Sequence, residues 1–260
     1  KTDFVEGSIR VSGADRQMVE DFWLNLEDFA AYCFNKSHAA CYGLIAYQTA
    51  YLKAHFPDAY MAALMTSDHD NIERIAIEVA ECRRMGIEVL PPDINESYLE
   101  FGVVKGKKQI RFGLLAIKNV GEGPIAAILA AREAGGEFKS LEDFCKRVPA
   151  SDVNKKVWES LIKCGAFDRY GTRETLLANV ENLSAFAQDH QKRVASGQID
   201  IFGELGMAET VTAKLTIDDA PIAPDVRERL SWEKELLGLY LSSHPLDDYE
   251  AYITDAMNPI

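Results

Sequence analysis

The chain has 260 residues, enough for one large or two small domains with real cores. Its hydrophobic content of 47% is that of an ordinary soluble globular protein. No stretch reaches the ~20 consecutive apolar residues of a membrane span, and the start has no charged-then-apolar secretory pattern. The net charge of −13 argues against a uniformly basic nucleic-acid binder, but its distribution is uneven. Residues 101–165 carry 12 Lys/Arg against 7 Asp/Glu, whereas the flanking segments 1–100 and 166–260 each carry 8 against 17. A solvated charged face would also account for that basic block. The chain begins at Lys1 without Met and closes on Pro259-Ile260, which reads as a segment of a longer polypeptide.

In chain order, helices are predicted from residue 15 to about 85. Gln17–Phe34 shows apolar residues at helical spacing, Ala39–Phe56 continues the pattern, and Pro57 fits the first position of a helix over 58–66. Asn71–Met85 is amphipathic, with Gly86 placed to end it. After Ile87–Leu90 and the break at Pro91-Pro92, Tyr98–Val104 and Gln109–Leu115 read as two strands. The turn Lys105-Gly106-Lys107-Lys108 would join them as a hairpin. From Gly121 to His190 the pattern is helical again, broken at Gly135-Gly136, Val148-Pro149 and Gly165. Residues 195–225 read as an extended segment or loop, and a last helix is predicted over about 225–237. The fold class expected is mainly α with one small β-hairpin.

Five cysteines (Cys33, Cys41, Cys82, Cys145, Cys164) form no C-x-x-C pair and no cluster with histidine. They suit reduced thiols in a cytosol, acting as small half-buried hydrophobes, and argue against a zinc site.

The run Leu114-Leu115-Ala116-Ile117-Lys118-Asn119-Val120-Gly121-Glu122-Gly123-Pro124-Ile125 carries the strongest functional signal. An apolar segment leads into a tight turn in which two glycines flank Glu122, and a helix follows with Pro124 expected at its first position. Glycine permits left-handed backbone and removes the Cβ that would block a phosphate, while the free N–H groups of a new helix carry partial positive charge. Such a turn holds a phosphate oxygen and reads no base. Lys118 would add a charge-assisted contact, with Lys105, Lys107, Lys108 and Arg111 on the neighbouring hairpin. A plain helix–helix turn using glycine as a cap is the alternative. No G-x-x-x-x-G-K-[ST] nucleotide loop occurs in the sequence.

This frame resembles the helix-hairpin-helix motif of DNA polymerases, ligases and repair proteins. A looser second unit spans Val157–Ala178, with Lys163 and Gly165 at its turn. The resemblance implies that the pair straddles the minor groove.

Near the start, Tyr32, Asn35 and His38 recur every three residues beside Lys36. An aromatic plane, an amide and a histidine can stack on a base and bond a sugar or phosphate. A core histidine with a helix cap at Asn35 or Ser37 explains the same residues. Further along, Gln198-Ile199-Asp200-Ile201-Phe202 sets a glutamine before an aliphatic and an aromatic anchor, the pattern of a peptide that fills an apolar pocket. A loop tucking Ile201 and Phe202 inside would look alike.

Longer runs carry a broader resemblance. Phe34 through Pro57, Met61–Thr66, Leu90-Pro91-Pro92-Asp93-Ile94-Asn95, Ile117–Ile125 and Leu237–Leu246 are similar, in order, to the alpha subunits of bacterial DNA polymerase III, the C-family replicative polymerases. The resemblance implies three segments: distal fingers over 1–95, the β-hairpin and tandem helix-hairpin-helix module over 96–194, and a clamp-binding peptide with the lead-in to an OB domain over 195–260. It also implies that Tyr32, Asn35, Lys36 and His38 face the incoming dNTP, although Cys33 stands where the family usually has glycine. Gln198, Asp200, Ile201 and Phe202 become the internal peptide that docks on the beta sliding clamp. The partners implied are double-stranded primer-template DNA, dNTP, the clamp and other replicase subunits, with no membrane, in the cytoplasm. Mg²⁺ would serve the parent's palm aspartates, outside this segment, so the segment alone is expected to be inactive and to hold no cofactor. A non-catalytic helix-hairpin-helix scaffold in repair and a translesion paralogue of the polymerase are the rival readings.

Overall fold

A computed structural model describes residues 1–33, 36–195, 215–218, 225–243 and 245–246. The chain divides into two compact units, Lys1–His55 and Phe56 onward. The first holds α1 (Thr2–Ser12), α2 (Arg16–Cys33) and α3 (Lys36–His55). Periodicity finds α2 and α3 but not α1, whose pattern is interrupted by Gly7 and Ser8, both weak helix formers. Packing overrides propensity there. Phe4 meets Trp23 at 5.2 Å between ring centroids, Val5 and Val19 are buried, and Arg16 pairs with Glu6 at 2.6 Å. Gly13 ends α1 at φ 65°, its N–H bonding Ile9 O. No residue of α3 is buried.

The second unit opens with α4 (Pro57–Ser67), started by Pro57, and α5 (Ile72–Arg84), whose N-cap Asn71 accepts from the Arg74 amide. Both α4 and α5 pack on the sheet that follows. Gly86, at φ 69°, turns the chain out of α5 into β1 (Glu88–Leu90). The sheet has order β1-β3-β2: β2 (Gly102–Val103) pairs antiparallel with β3 (Gln109–Arg111), and β1 runs parallel to β3. The hairpin is therefore present with shorter strands than expected, and Glu88–Leu90 supplies a third that three residues of periodicity cannot disclose. Leu114–Ala116 leaves the strand as a 3₁₀ turn. Gly113, just before it, lets two stretches of backbone pass closely, since a Cβ there would lie 2.6 Å from the Glu100 backbone.

The helical part comprises α6 (Glu122–Gly135), α7 (Leu141–Arg147), α8 (Lys155–Lys163), α9 (Arg173–Ala178), α10 (Val180–Ala195) and α11 (Val226–Leu237). Ser140, Asn154, Thr172 and Asp225 cap α7, α8, α9 and α11 through their side chains, each worth about 1 kcal/mol. Phe144 is central, edge-on to Phe138, Trp158 and Phe167 at 4.9–5.1 Å, all buried. The described residues are thus mainly helical around one small sheet. Cys82, Cys145 and Cys164 are buried, and burial pushes the Cys145 and Cys164 thiols up to about 12, which leaves them unreactive.

Candidate nucleic-acid interface

The first hairpin is built from the inside out. Ile117 and Val120 are buried beneath it, and Val120 N–H bonds Ile117 O at 3.1 Å to close the turn. Between them Lys118 and Asn119 are exposed. The Lys118 amide donates to Leu236 O at 3.0 Å, so the last turn of α11 holds the hairpin from behind.

Two expectations about this loop need correcting. The helix starts at Glu122 with Gly121 as N-cap, so Pro124 is its third residue. Proline is tolerated there because the first amide of α6 to bond within the turn is that of Ile125, to Gly121 O at 3.4 Å. Nor do the glycines supply left-handed backbone: Gly121 lies at φ −87°, and Asn119 takes the positive angle at φ 71°. Asparagine is the non-glycine residue best suited to it.

What the glycines do supply is room. A Cβ on Gly121 or Gly123 would meet nothing within 4 Å, so neither the backbone nor internal packing requires glycine at either position. Among the described residues, the amides of Asn119, Gly121, Glu122 and Gly123 have no acceptor. Donors, open space and the positive end of a 14-residue helix converge on one exposed spot.

The second hairpin differs. Gly165 is buried at φ 90°, and a Cβ would collide with the Arg173 guanidinium and come within 2.8 Å of Asp168 Oδ2. The Cys164, Gly165, Ala166 and Asp168 amides all bond inward, to Ser160, Ile162, Leu161 and Gly165 carbonyls. Glycine is therefore structural in this turn, whose backbone offers no comparable row of donors. Lys163 is half-buried, its ammonium 5.9 Å from the centre of the Trp232 ring.

Lys105, Lys107 and Lys108 are exposed on the β2–β3 turn, where Gly106 takes φ 77°. Arg111 is differently occupied: its guanidinium pairs with Glu96 and donates to Pro91 O at 2.8 Å. In the first unit, Lys36 is exposed at the start of α3, and the His38 ring lies 4.3 Å from that of Tyr42. Tyr32 falls in the last turn of α2, whereas Asn35 lies outside the described residues, as do Gln198, Asp200, Ile201 and Phe202.

Two supports were not legible as such. Asn95, buried, donates to Phe138 O at 3.0 Å and Tyr170 Oη at 2.9 Å and accepts from the Phe138 amide at 2.8 Å. With Ile94 N–H bonded to Ala166 O, the segment after Pro91-Pro92 ties the loop after α6 to the second hairpin. The other support is ionic. Glu233 on α11, 1% exposed, accepts from Arg173 at 3.1 Å and from the Leu241 and Ser242 amides, while Arg229 grips Glu174 through Nε and Nη2, each at 2.6 Å. Arg229 holds the Glu174 carboxyl below its ordinary range.

Residues 86–176 match a family model described as a helix-hairpin-helix motif. Over 96% of its length the chain is 46% identical to DNA polymerase III subunit alpha of Vibrio cholerae, covering 21% of that protein. The subunit of the same name is 44% identical over 95% of the chain in Thermus aquaticus and 42% over 95% in Escherichia coli, with 19% and 21% of those proteins covered. The chain is a relative of the DNA polymerase III alpha subunits. It spans about a fifth of the length of the curated relatives it matches. Among the described residues no three His, Cys, Asp or Glu side chains are grouped to hold a metal ion. No helix among the described residues is long and apolar enough to cross a membrane.

Proposed function

We propose that this chain holds duplex DNA by its phosphates, irrespective of sequence, as the duplex-gripping part of a polymerase III alpha subunit. The observation that carries the reading is the pair Gly121 and Gly123, whose missing Cβ atoms neither fold nor backbone demands, set among amides without acceptors. Glycine is needed there when something outside the chain approaches closely, and a phosphate oxygen fits both the donors and the helix terminus. Lys118 and the turn lysines Lys105, Lys107 and Lys108 would add charge, and Lys163 a contact from the second hairpin. Arg111, paired with Glu96, would act through the shape of the turn.

Polymerisation belongs to the parent enzyme in this reading, and no catalytic residue or Mg²⁺ ligand is placed here. Tyr32, Asn35, Lys36 and His38 would face the incoming dNTP. Gln198, Asp200, Ile201 and Phe202 would dock on the beta sliding clamp, in a cytoplasmic replicase with its other subunits. The test is duplex binding by the chain with Gly121→Ala plus Gly123→Ala. The two added methyl groups should weaken affinity about tenfold, a loss of about 1.4 kcal/mol, equally on unrelated duplex sequences and with little change in melting temperature. Unchanged affinity would remove the hairpin from the interface.

A further inference from the structure

The first hairpin owes its shape to a residue that is not glycine. Asn119, at φ 71°, is the one non-glycine residue with positive φ among those described. Its side chain reaches across 41 positions to α8, where Nδ2 donates to Ser160 Oγ at 3.4 Å. Ser160 is 3% exposed, among the buried Val157, Trp158 and Leu161, so its hydroxyl sits away from water. The tip of the first hairpin is thereby fastened to the first helix of the second, whose Cys164, Gly165, Ala166 and Asp168 amides bond inward.

We propose that Asn119 is a positioning residue for the phosphate grip and that the second hairpin unit braces the first. The left-handed backbone at Asn119 turns the Gly121, Glu122 and Gly123 amides outward together, and its side-chain amide fixes them to α8 before any ligand arrives. Binding then needs little further ordering of the loop, which is how preorganisation raises affinity. This rests on the reading that the hairpin holds DNA. The two roles of Asn119 separate by substitution: glycine keeps the backbone angle and removes the tie, alanine removes both, and Ser160→Ala removes the tie from the far side.

The experiment measures duplex affinity of the 260-residue chain carrying Asn119→Gly, Asn119→Ala, Ser160→Ala, and Asn119→Gly with Ser160→Ala. It also follows the amide resonances of Gly121 and Gly123 in the free chain. Losing the tie should weaken binding about threefold to fivefold in Asn119→Gly and in Ser160→Ala. The double variant should lose no more than either, because both remove one interaction. Asn119→Ala should lose about tenfold or more, since alanine resists positive φ, so glycine rescues it in part. In Ser160→Ala the two glycine resonances should shift although the substitution lies on another helix. Independent, multiplying losses in the double variant would overturn the tie, and equal affinities for the alanine and glycine variants would overturn the backbone role. Wild-type chain that does not bind duplex, with the resonances still shifting, would sink the DNA reading and leave the brace standing.

Discussion

Glu78 shows at the scale of one side chain what burial does to a charge. It lies on α5 at 6% exposure, and its Oε2 has no hydrogen-bond partner among the described residues. Burial, and then the neighbouring Asp68 carboxylate, which Arg74 pairs at 2.8 Å, push the Glu78 carboxyl up to about 7, while Arg74 pulls weakly the other way. The folded chain therefore keeps a proton that the unfolded chain releases near its ordinary value of 4.5. Between those values the native state binds more protons, so this group's contribution to stability falls as pH rises from about 4.5 through about 7. Glu78→Gln keeps the shape and abolishes the titration. It should leave melting near pH 5 little changed and raise Tm at pH 8 by roughly 5–10 °C. Parallel Tm–pH profiles for variant and wild type would show that Glu78 ionises as it does in water.

At the scale of elements, α11 decides whether the hairpin module is held together. One end of it is fixed by the Arg173–Glu233 and Glu174–Arg229 pairs, the other by the Lys118 amide on Leu236 O. Gly238 then turns at φ 78° against α5, where any Cβ would overlap Ile72. Glu233→Ala leaves Arg173 buried with only part of its charge matched and orphans the Leu241 and Ser242 amides. The expected loss is about 3 kcal/mol, read from the urea midpoint. Replacing both partners with apolar residues, Arg173→Met with Glu233→Leu, should cost less than the single change, because no lone charge remains. A single-variant loss under ~0.5 kcal/mol, that of an ordinary surface change, would show that α11 is held by its apolar face alone. The helix itself is legible in the sequence, over about 225–237, as are α2 to α5 and the breaks between α6 and α9. Short-range periodicity and caps suffice for those. It cannot show that Glu233 meets Arg173, 60 positions away, or that Asn95 closes a knot with Phe138 and Tyr170. Those bonds depend on which elements become neighbours, and the residue types alone look like ordinary surface charge. The first hairpin was half legible for the same reason. Two glycines mark the turn, but the assignment of positive φ to them fails because the fold gives that angle to Asn119, whose side chain has a partner on α8.

Over the whole molecule, charge is arranged as a basic middle between two acidic flanks. The surplus of Lys/Arg over 101–165 includes Lys105, Lys107, Lys108 and Lys118, while each flank carries more than twice as many acids as bases. A chain of net charge −13 is repelled by DNA at long range, so contact made by one small basic region should be weak and should weaken further as salt rises. A tether solves this without tighter contact. A second attachment makes each rebinding intramolecular, at an effective concentration of roughly millimolar for a short flexible linker. In the proposed reading the attachment is the Gln198–Phe202 peptide on the sliding clamp, and grip and tether are separate in the chain. Gln198→Ala with Phe202→Ala should therefore abolish clamp binding and leave duplex affinity of the isolated chain within about twofold of wild type. Gly121→Ala with Gly123→Ala should do the reverse. Equal clamp binding by wild type and the peptide variant would remove the tether, and a joint loss of both activities in either variant would mean that grip and tether are not independent.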